Sequence, residues 1–200
     1  MGIEGEPNQE AAKSWQIEQT VGLLEQTVTG WEKPDNNEAE LRRMEAETGL
    51  NLAVLKEGDL TDERKEEVFG LVDKLEKVAD DKRIPKIIHQ LKERFGLKPD
   101  KKLLKREKTR ENKADQIDQT ISLIERVIDG WGKPGHNEQD LRHLEAQVGL
   151  NLVTLDKKDF TDEEKKAKVL ELVGELRGVA DDERVVEITN EFEERINKEQ

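Results

Sequence analysis

The chain repeats itself once along its length. Residues 16–65 align with residues 116–165 at an offset of 100, and about half of the aligned positions are identical. From Val68 onward the offset is 101, so one extra residue enters the second copy before the apolar stripe of that helix begins. The period is too long for tetratricopeptide or ankyrin units, which run about 33–34 residues. It matches a complete small domain, and it predicts tandem domains rather than a solenoid.

We therefore predict an all-α fold, a tandem duplication of a small bundle of about four helices. The first unit takes residues 9–97, a basic and helical linker takes residues 98–113, and the second unit takes residues 114–198. About twenty apolar side chains per unit, at roughly 1.5–3 kcal/mol each, do not exceed the conformational entropy of ordering the chain. Each unit is thus marginal alone, and we expect docking of the two units, with pseudo-two-fold packing as one arrangement.

The first helix of each unit leads into a Gly-Trp pair. Apolar residues spaced four and three apart predict a helix from about Gln9 to Thr29, repeated in the second unit. Gly30 and Gly130 fit the left-handed position that ends a helix. Pro34 and Pro134 follow, and proline prevents the helix from continuing.

A short second helix is predicted to begin at Asn37 or Asn137, because an asparagine with an acidic residue three positions later is a good N-terminal cap. We expect Gly49 and Gly149 to end this helix. The stretch Leu50–Leu55 is ambiguous between helical and extended structure, and we interpret it as an ordered connector whose leucines point inward.

The third and fourth helices are predicted from their caps and their apolar stripes. Thr61 is a good cap for the third helix, and Thr161 with Glu164 forms a capping box in the second copy. Asp80-Asp81 and Asp181-Asp182 are expected to break the chain and cap the fourth helix. The inward-facing positions of the two helices in the first unit are Val68, Leu71, Val72, Leu75, Val78, Ile84, Ile87, Leu91 and Phe95, matched in the second by Val169, Leu172, Val173, Leu176, Val179, Val185, Ile188, Phe192 and Ile196.

The segment between the units is basic in an acidic chain. It has eight basic and three acidic residues, whereas the chain as a whole has a formal charge of −13. One interpretation is a contact for a nucleic-acid backbone or an acidic partner; the other, which we favour, is a solvated helix that neutralises the acidic units beside it. The candidate contact residues are Lys101, Lys102, Lys105, Arg106, Lys108 and Arg110.

Few residues carry an obvious chemistry. Cysteine is absent, which excludes disulfides, thiolate zinc sites and a cysteine nucleophile. His89, His136 and His143 have no histidine at the matching position of the other copy, so we interpret them as surface or boundary residues. No glycine-rich phosphate loop, Glu-x-x-His pair or calcium-loop pattern occurs. We predict no catalytic residues, no metal site and no cofactor.

The Trp-x-Lys-Pro element is the repeated motif that best fits a binding role. Trp31 with Lys33, and Trp131 with Lys133, could anchor a protein partner, since tryptophan is common at interfaces. The alternative, which we favour, is that each tryptophan folds back over the preceding helix and closes the core.

Two repeated arginines offer a second candidate. Arg42 and Arg142 could hold an acidic ligand, but we expect them to pair with Glu45 and Glu145, three residues further along the same helix.

These observations favour a non-enzymatic protein that binds protein partners or acts as a scaffold, with two similar acidic surfaces on one chain. The alternatives are a nucleic-acid-related role, as an acidic mimic of DNA or through the basic linker, and a helical enzyme or small-ligand carrier. Apolar runs are too short to cross a bilayer, so no membrane contact is predicted. We expect a cytoplasmic protein, although a removed secretion signal would leave the same sequence.

Overall fold

The computed structural model describes residues 9–33, 35–97 and 113–198. Within these ranges the chain forms eight α-helices and two 3₁₀ turns, with no strands, so the all-α fold class is confirmed. The helices are α1 (Gln9–Glu32), α2 (Glu38–Val54), α3 (Asp62–Val78), α4 (Ile84–Arg94), α5 (Lys113–Trp131), α6 (Glu138–Thr154), α7 (Glu163–Val179) and α8 (Glu183–Asn197), and the 3₁₀ turns are Glu57–Asp59 and Lys157–Asp159. Contacts divide them into two groups, α1–α4 and α5–α8, called here the first and second halves.

The predicted linker falls almost entirely outside the described ranges. The six basic residues proposed for it, from Lys101 to Arg110, lie there, and its helical extension toward α5 stays a prediction. Pro34 is likewise outside the described residues.

Most of the capping residues that the sequence predicts lie at the start of their helices. The side chain of Asn37 accepts a hydrogen bond from the backbone N–H of Glu40, and the side chain of Asn137 caps α6 by accepting one from the backbone N–H of Gln139. Thr61 caps α3. The expected capping box at Thr161 is wrong, because Asp162 caps α7 instead. Both third helices have 17 residues, so the extra residue of the second half is accommodated before α7 rather than inside it.

The glycines predicted to end helices do not end them. α1 continues through Gly30, and the left-handed backbone predicted for Gly30 and Gly130 is wrong, since Gly96 and Gly135 are the positive-φ residues of the described chain. A Cβ atom at Gly30 would lie 2.2 Å from Leu41 Cδ2 on α2, and the matching distance at Gly130 is 2.3 Å. Glycine is needed here because two helices approach closely.

The same correction applies in the middle of α2 and α6. Both helices pass through their glycine and run on, so Leu50–Leu55 is helical as far as Val54, and its leucines are buried as expected. A Cβ at Gly49 would lie 2.8 Å from Leu150 in the other half, and one at Gly149 would lie 2.5 Å from Leu50. These glycines therefore lie where the halves touch.

One apolar core extends through both halves. Buried residues from all eight helices form a single cluster, and α2 packs on α6 and α8 while α4 touches α6. Most of the predicted stripes are buried, with Leu24, Leu75 and Phe192 fully enclosed. Val179 is an exception, because 38% of its surface is exposed at the end of α7. The core thus joins the two halves across α2 and α6.

Candidate functional site

The chain turns a corner between the first two helices of each half, and the Trp-x-Lys element lies there. Trp31 and Trp131 are partly buried at the ends of α1 and α5, whereas Lys33 and Lys133 are exposed. Trp131 packs against the core and its indole Nε1 donates to Glu145 Oε1 over 2.7 Å. Lys133 forms an ion pair with Asp129 of the preceding turn. The tryptophans thus have one side inside the protein and one side toward solvent.

An open groove of about 490 Å³ lies at the corner of the first half. Its lining includes the apolar side chains of Leu41 and Met44, with charged residues of both signs around them. Those charged residues are Glu25, Lys33, Asp35 and Glu40.

Two buried carboxylates lie beneath the corners. Glu45 and Glu145 are fully buried, and each accepts a hydrogen bond from a backbone N–H of the turn before the fourth helix, at 3.0 Å and 3.1 Å. The prediction that they pair with Arg42 and Arg142 is wrong. Those arginines instead bind aspartates of that turn, with Arg142 lying 2.7 Å from Asp181. The i, i+3 spacing suggests a surface pair, but the glutamates lie on the inner face of their helices.

Burial shifts the ionisation of both glutamates. Removal from water, reinforced by the negative charges of Asp81 and Asp80, raises the pKa of Glu45 to about 7. Burial also raises the pKa of Glu145, although the bond from Trp131 opposes the shift. In each carboxylate Oε2 is buried and has no hydrogen-bond partner among the described residues. Glu45 is not among the groove residues, so this carboxyl group does not open onto the corner surface.

A repeated polar contact joins the halves, and the sequence analysis missed it. Arg83, before α4, donates to the side chain of Asn151 over 2.7 Å and also contacts Gln147. Arg184 on α8 donates to Asn51 over 2.5 Å, and its guanidinium also bonds Glu47 over 2.7 Å. The usable signal was an asparagine repeated within a leucine-rich helix, because a buried amide requires a partner.

The histidines occupy surface and boundary positions, as expected. His89 Nε2 lies 3.4 Å from Glu93, and the His136 ring packs edge-on against Trp131 with ring centroids 4.7 Å apart. His143 is half-buried on α6, and burial together with the charge of Arg43 lowers its pKa.

No cluster of three or more His, Asp or Glu side chains suited to a metal ion occurs among the described residues. No helix in the same ranges is both long and apolar enough to span a membrane. Comparisons with protein-family models, curated proteins and solved structures found no match for this chain.

Proposed function

We propose that this protein is a non-enzymatic interaction or scaffold protein made by tandem duplication of an acidic four-helix unit. The units are residues 9–97 and 114–198, joined by the basic segment 98–113. The duplication is supported by the sequence repeat and by matched structural details: equivalent asparagine caps, equivalent glycines at helix crossings and equivalent buried glutamates.

The repeated buried carboxylates are the strongest argument for an enzyme, and their bonding supports a structural role instead. Glu45 and Glu145 each accept a backbone N–H from the turn that starts the fourth helix. Catalytic acids and bases must reach a substrate, whereas these groups lie inside the core. Both halves therefore contain a buried glutamate because both contain the turn that this glutamate holds in place.

The observation that carries the proposal is that both halves present a partly buried tryptophan beside an exposed lysine at the same corner. Lys33 lines the groove of the first half, as does Gly30, the residue before Trp31. Trp131 and Lys133 form the matching corner of the second half. A groove with an apolar floor and a charged rim resembles the composition of a protein-binding patch. Two corners with the same tryptophan and lysine on one chain suit bivalent binding, in which linkage raises the apparent affinity.

The test begins by identifying a partner with the full chain as bait and then measures its affinity for corner variants. Lys33→Ala and Lys133→Ala each remove one repeated cation without entering the core. Bivalent binding predicts that each single variant weakens the apparent affinity by about tenfold and that the double variant weakens it much further. Lys157→Ala is the control, because Lys157 is exposed in the 3₁₀ turn that follows α6, at the opposite end of that helix from the corner. An effect of only one corner would contradict the bivalent proposal.

The nucleic-acid alternative predicts a different result in one measurement. Retention on heparin or duplex DNA at low salt, lost when Lys101, Lys102, Lys105 and Arg106 are replaced by glutamine, would favour the basic segment as the binding element. An acidic mimic would instead bind a DNA-binding protein and be displaced by duplex DNA. Corner-dependent binding to a protein that duplex DNA does not displace supports the scaffold proposal.

A further inference from the structure

Among the described residues three ion pairs cross between the halves, and two of them use the same two positions of the repeat with opposite signs. Lys56, just after α2, bonds Glu187 on α8. Lys86, on α4, lies with Nζ 3.3 Å from the carboxylate of Asp156, just after α6. In the repeat, Lys56 corresponds to Asp156 and Lys86 corresponds to Glu187. The first half thus supplies the cation of both pairs, and the second half supplies the anion of both.

The surroundings of each pair reinforce this difference. Glu191 adds a second negative charge near Lys56, and the carboxylates of Glu187 and Glu191 together raise the pKa of that lysine. The position matching Glu191 in the first half is the neutral Gln90, whose amide donates to a backbone carbonyl of α6. Lys86 is also anchored by a hydrogen bond to the carbonyl of Thr154. The first half therefore presents a basic face here, and the second half presents an acidic one.

The remaining charges beside these pairs do not distinguish the halves in the same way. Arg195 Nε lies 3.9 Å from Asp156, and its counterpart in the first half is Arg94, which bonds the carbonyl of Leu55 beside Lys56. The Lys158 ammonium, also 3.9 Å from Asp156, is exposed to solvent. A lysine placed at position 156 would therefore lie beside an arginine, as Lys56 already does.

Two further contacts between the halves differ in the two directions: Arg184 pairs with Glu47, whereas Arg83 meets the neutral Gln147. Gln90 donates to the carbonyl of Val153, whereas its counterpart is Glu191.

The glycine–leucine and arginine–asparagine contacts, in contrast, would form equally between two like halves. Glycine and leucine meet in both directions across α2 and α6, and each half supplies an arginine and an asparagine to the interface. Pairing two first halves would place Lys56 opposite Lys86 at both ends. Pairing two second halves would place Asp156 opposite Glu187 at both ends. Like charges at these positions are the element that penalises the wrong pairing.

We propose that the reversed polarity of these two ion pairs selects which halves pair: this face of the first half binds a second half and rejects another first half. The selection applies equally to a second copy of the chain, whose first half is excluded and whose second half is accepted. A duplicated chain needs such a device, because its halves otherwise offer nearly the same interface to each other and to themselves. The inference is independent of the proposed binding corners.

The test exchanges the charges within the full chain. Lys56→Asp with Lys86→Glu gives the first half the residues of the second, and Asp156→Lys with Glu187→Lys makes the opposite change. Each half-exchanged chain has like charges at both ends of the interface, whereas the chain carrying all four substitutions has opposite charges again. We expect each half-exchanged chain to lose roughly 4–8 °C in Tm at low salt and the four-fold variant to regain most of it.

The salt dependence and a matched control complete the design. The loss should shrink at high salt, since screening weakens interactions between exposed charges. Lys74→Asp with Lys77→Glu makes the same change in net charge at exposed positions of α3 and should leave Tm near that of the parent chain. Half-exchanged chains as stable as the parent, or a control that loses as much as they do, would overturn the proposal.

A double-mutant cycle on the Lys56–Glu187 pair alone leaves Asp156 unchanged, so it is not affected by any disruption that substitution of Asp156 causes. Lys56→Glu, Glu187→Lys and their combination invert only the Lys56–Glu187 pair, which has no second ion-pair partner among the described residues. Recovery in the combined variant supports selection by polarity. If the combined variant is as unstable as the single variants in both cycles, the side chains matter for reasons other than the sign of their charge, and the proposal fails.

Discussion

A buried polar pair in the first half is replaced by an apolar pair in the second. Thr27 on α1 and Thr48 on α2 are fully buried, and their hydroxyl oxygens lie 3.1 Å apart. The matching residues, Val127 and Val148, are nearly the same size and carry no polar atom. The two halves thus offer a natural comparison between a satisfied hydroxyl pair and its isosteric apolar replacement.

We predict that the order of replacement matters at this pair. Thr48 also donates to the carbonyl of Met44, so Thr27→Val leaves it a partner and should change the free energy of unfolding little. Thr48→Val leaves the Thr27 hydroxyl buried without its partner and should destabilise the protein by about 1–2 kcal/mol. The double variant should return to parental stability or exceed it, as measured by urea unfolding. Two single variants of equal effect would contradict this account.

A second residue-scale prediction concerns pH. The pKa of Glu45 is about 7 in the folded chain, above its ordinary value of 4.5. The folded state therefore binds more protons than the unfolded state between these values, and stability falls as the pH rises from about 4.5 to 7. Glu45→Gln keeps an acceptor for the N–H of Asp81 but cannot ionise.

This variant should show a flatter dependence of unfolding free energy on pH over that range. Above pH 7.5 it should exceed the parent by up to about 3 kcal/mol, because one pKa unit corresponds to 1.36 kcal/mol. Glu38→Gln, at an exposed position of the same helix, is the control. A parental slope that persists in Glu45→Gln would show that other groups cause it.

At the scale of helices, the sequence predicts where they begin far better than where they end. Asn37 and Thr61 cap their helices by accepting hydrogen bonds from backbone N–H groups three residues later, and such local contacts can be predicted from a few residues of sequence. Gly30 and Gly49 were wrongly predicted to end their helices, since glycine also occurs within a helix where another helix comes close. The side chains closest to Gly49 are Ile84 and Leu150, and Leu150 is 101 residues away, so periodicity within one helix does not identify such partners.

The same limit explains which polar residues were missed. Glu45 is four residues from the buried Leu41 and therefore lies on the same inner face, but its i, i+3 spacing from Arg42 suggested a surface ion pair. Arg83 and Asn151 could have been expected to need partners, but only the packing of the halves brings them together. The corner tryptophans were correctly located at a helix end, whereas their binding role stays a prediction.

The helix crossing at Gly49 permits a direct test against another helical glycine. Gly49→Ala places a methyl group 2.7 Å from Ile84 Cδ1 and 2.8 Å from Leu150 Cδ2, both in the core. We expect a loss of about 1–3 kcal/mol in unfolding free energy from this overpacking. Gly70→Ala on α3 has nothing within 4 Å and should stabilise the protein by about 0.5–1 kcal/mol through helix propensity. If both changes stabilise the protein, α2 and α6 do not approach as closely as described.

For the whole molecule, the continuous core has a consequence for folding. The buried cluster runs from the first half into the second across α2 and α6, so unfolding one half would expose the inner face of the other. The polar contacts of Arg83 and Arg184 would be lost at the same time. These features favour a single cooperative transition over two independent ones.

We therefore predict that a core truncation in the first half destabilises the second half equally. Leu75 is fully buried on α3, and Leu75→Ala should reduce the free energy of unfolding by about 2–5 kcal/mol. In a chain whose other tryptophans, Trp15 and Trp31, are replaced by phenylalanine, Trp131 fluorescence reports on the second half alone. Its urea midpoint should fall as far as the midpoint of the helical circular dichroism signal. A Trp131 midpoint that stays at its parental value would mean that each half unfolds by itself. In that case Leu176→Ala, the matching change in the second half, should lower the Trp131 midpoint and leave the unfolding of the first half unchanged.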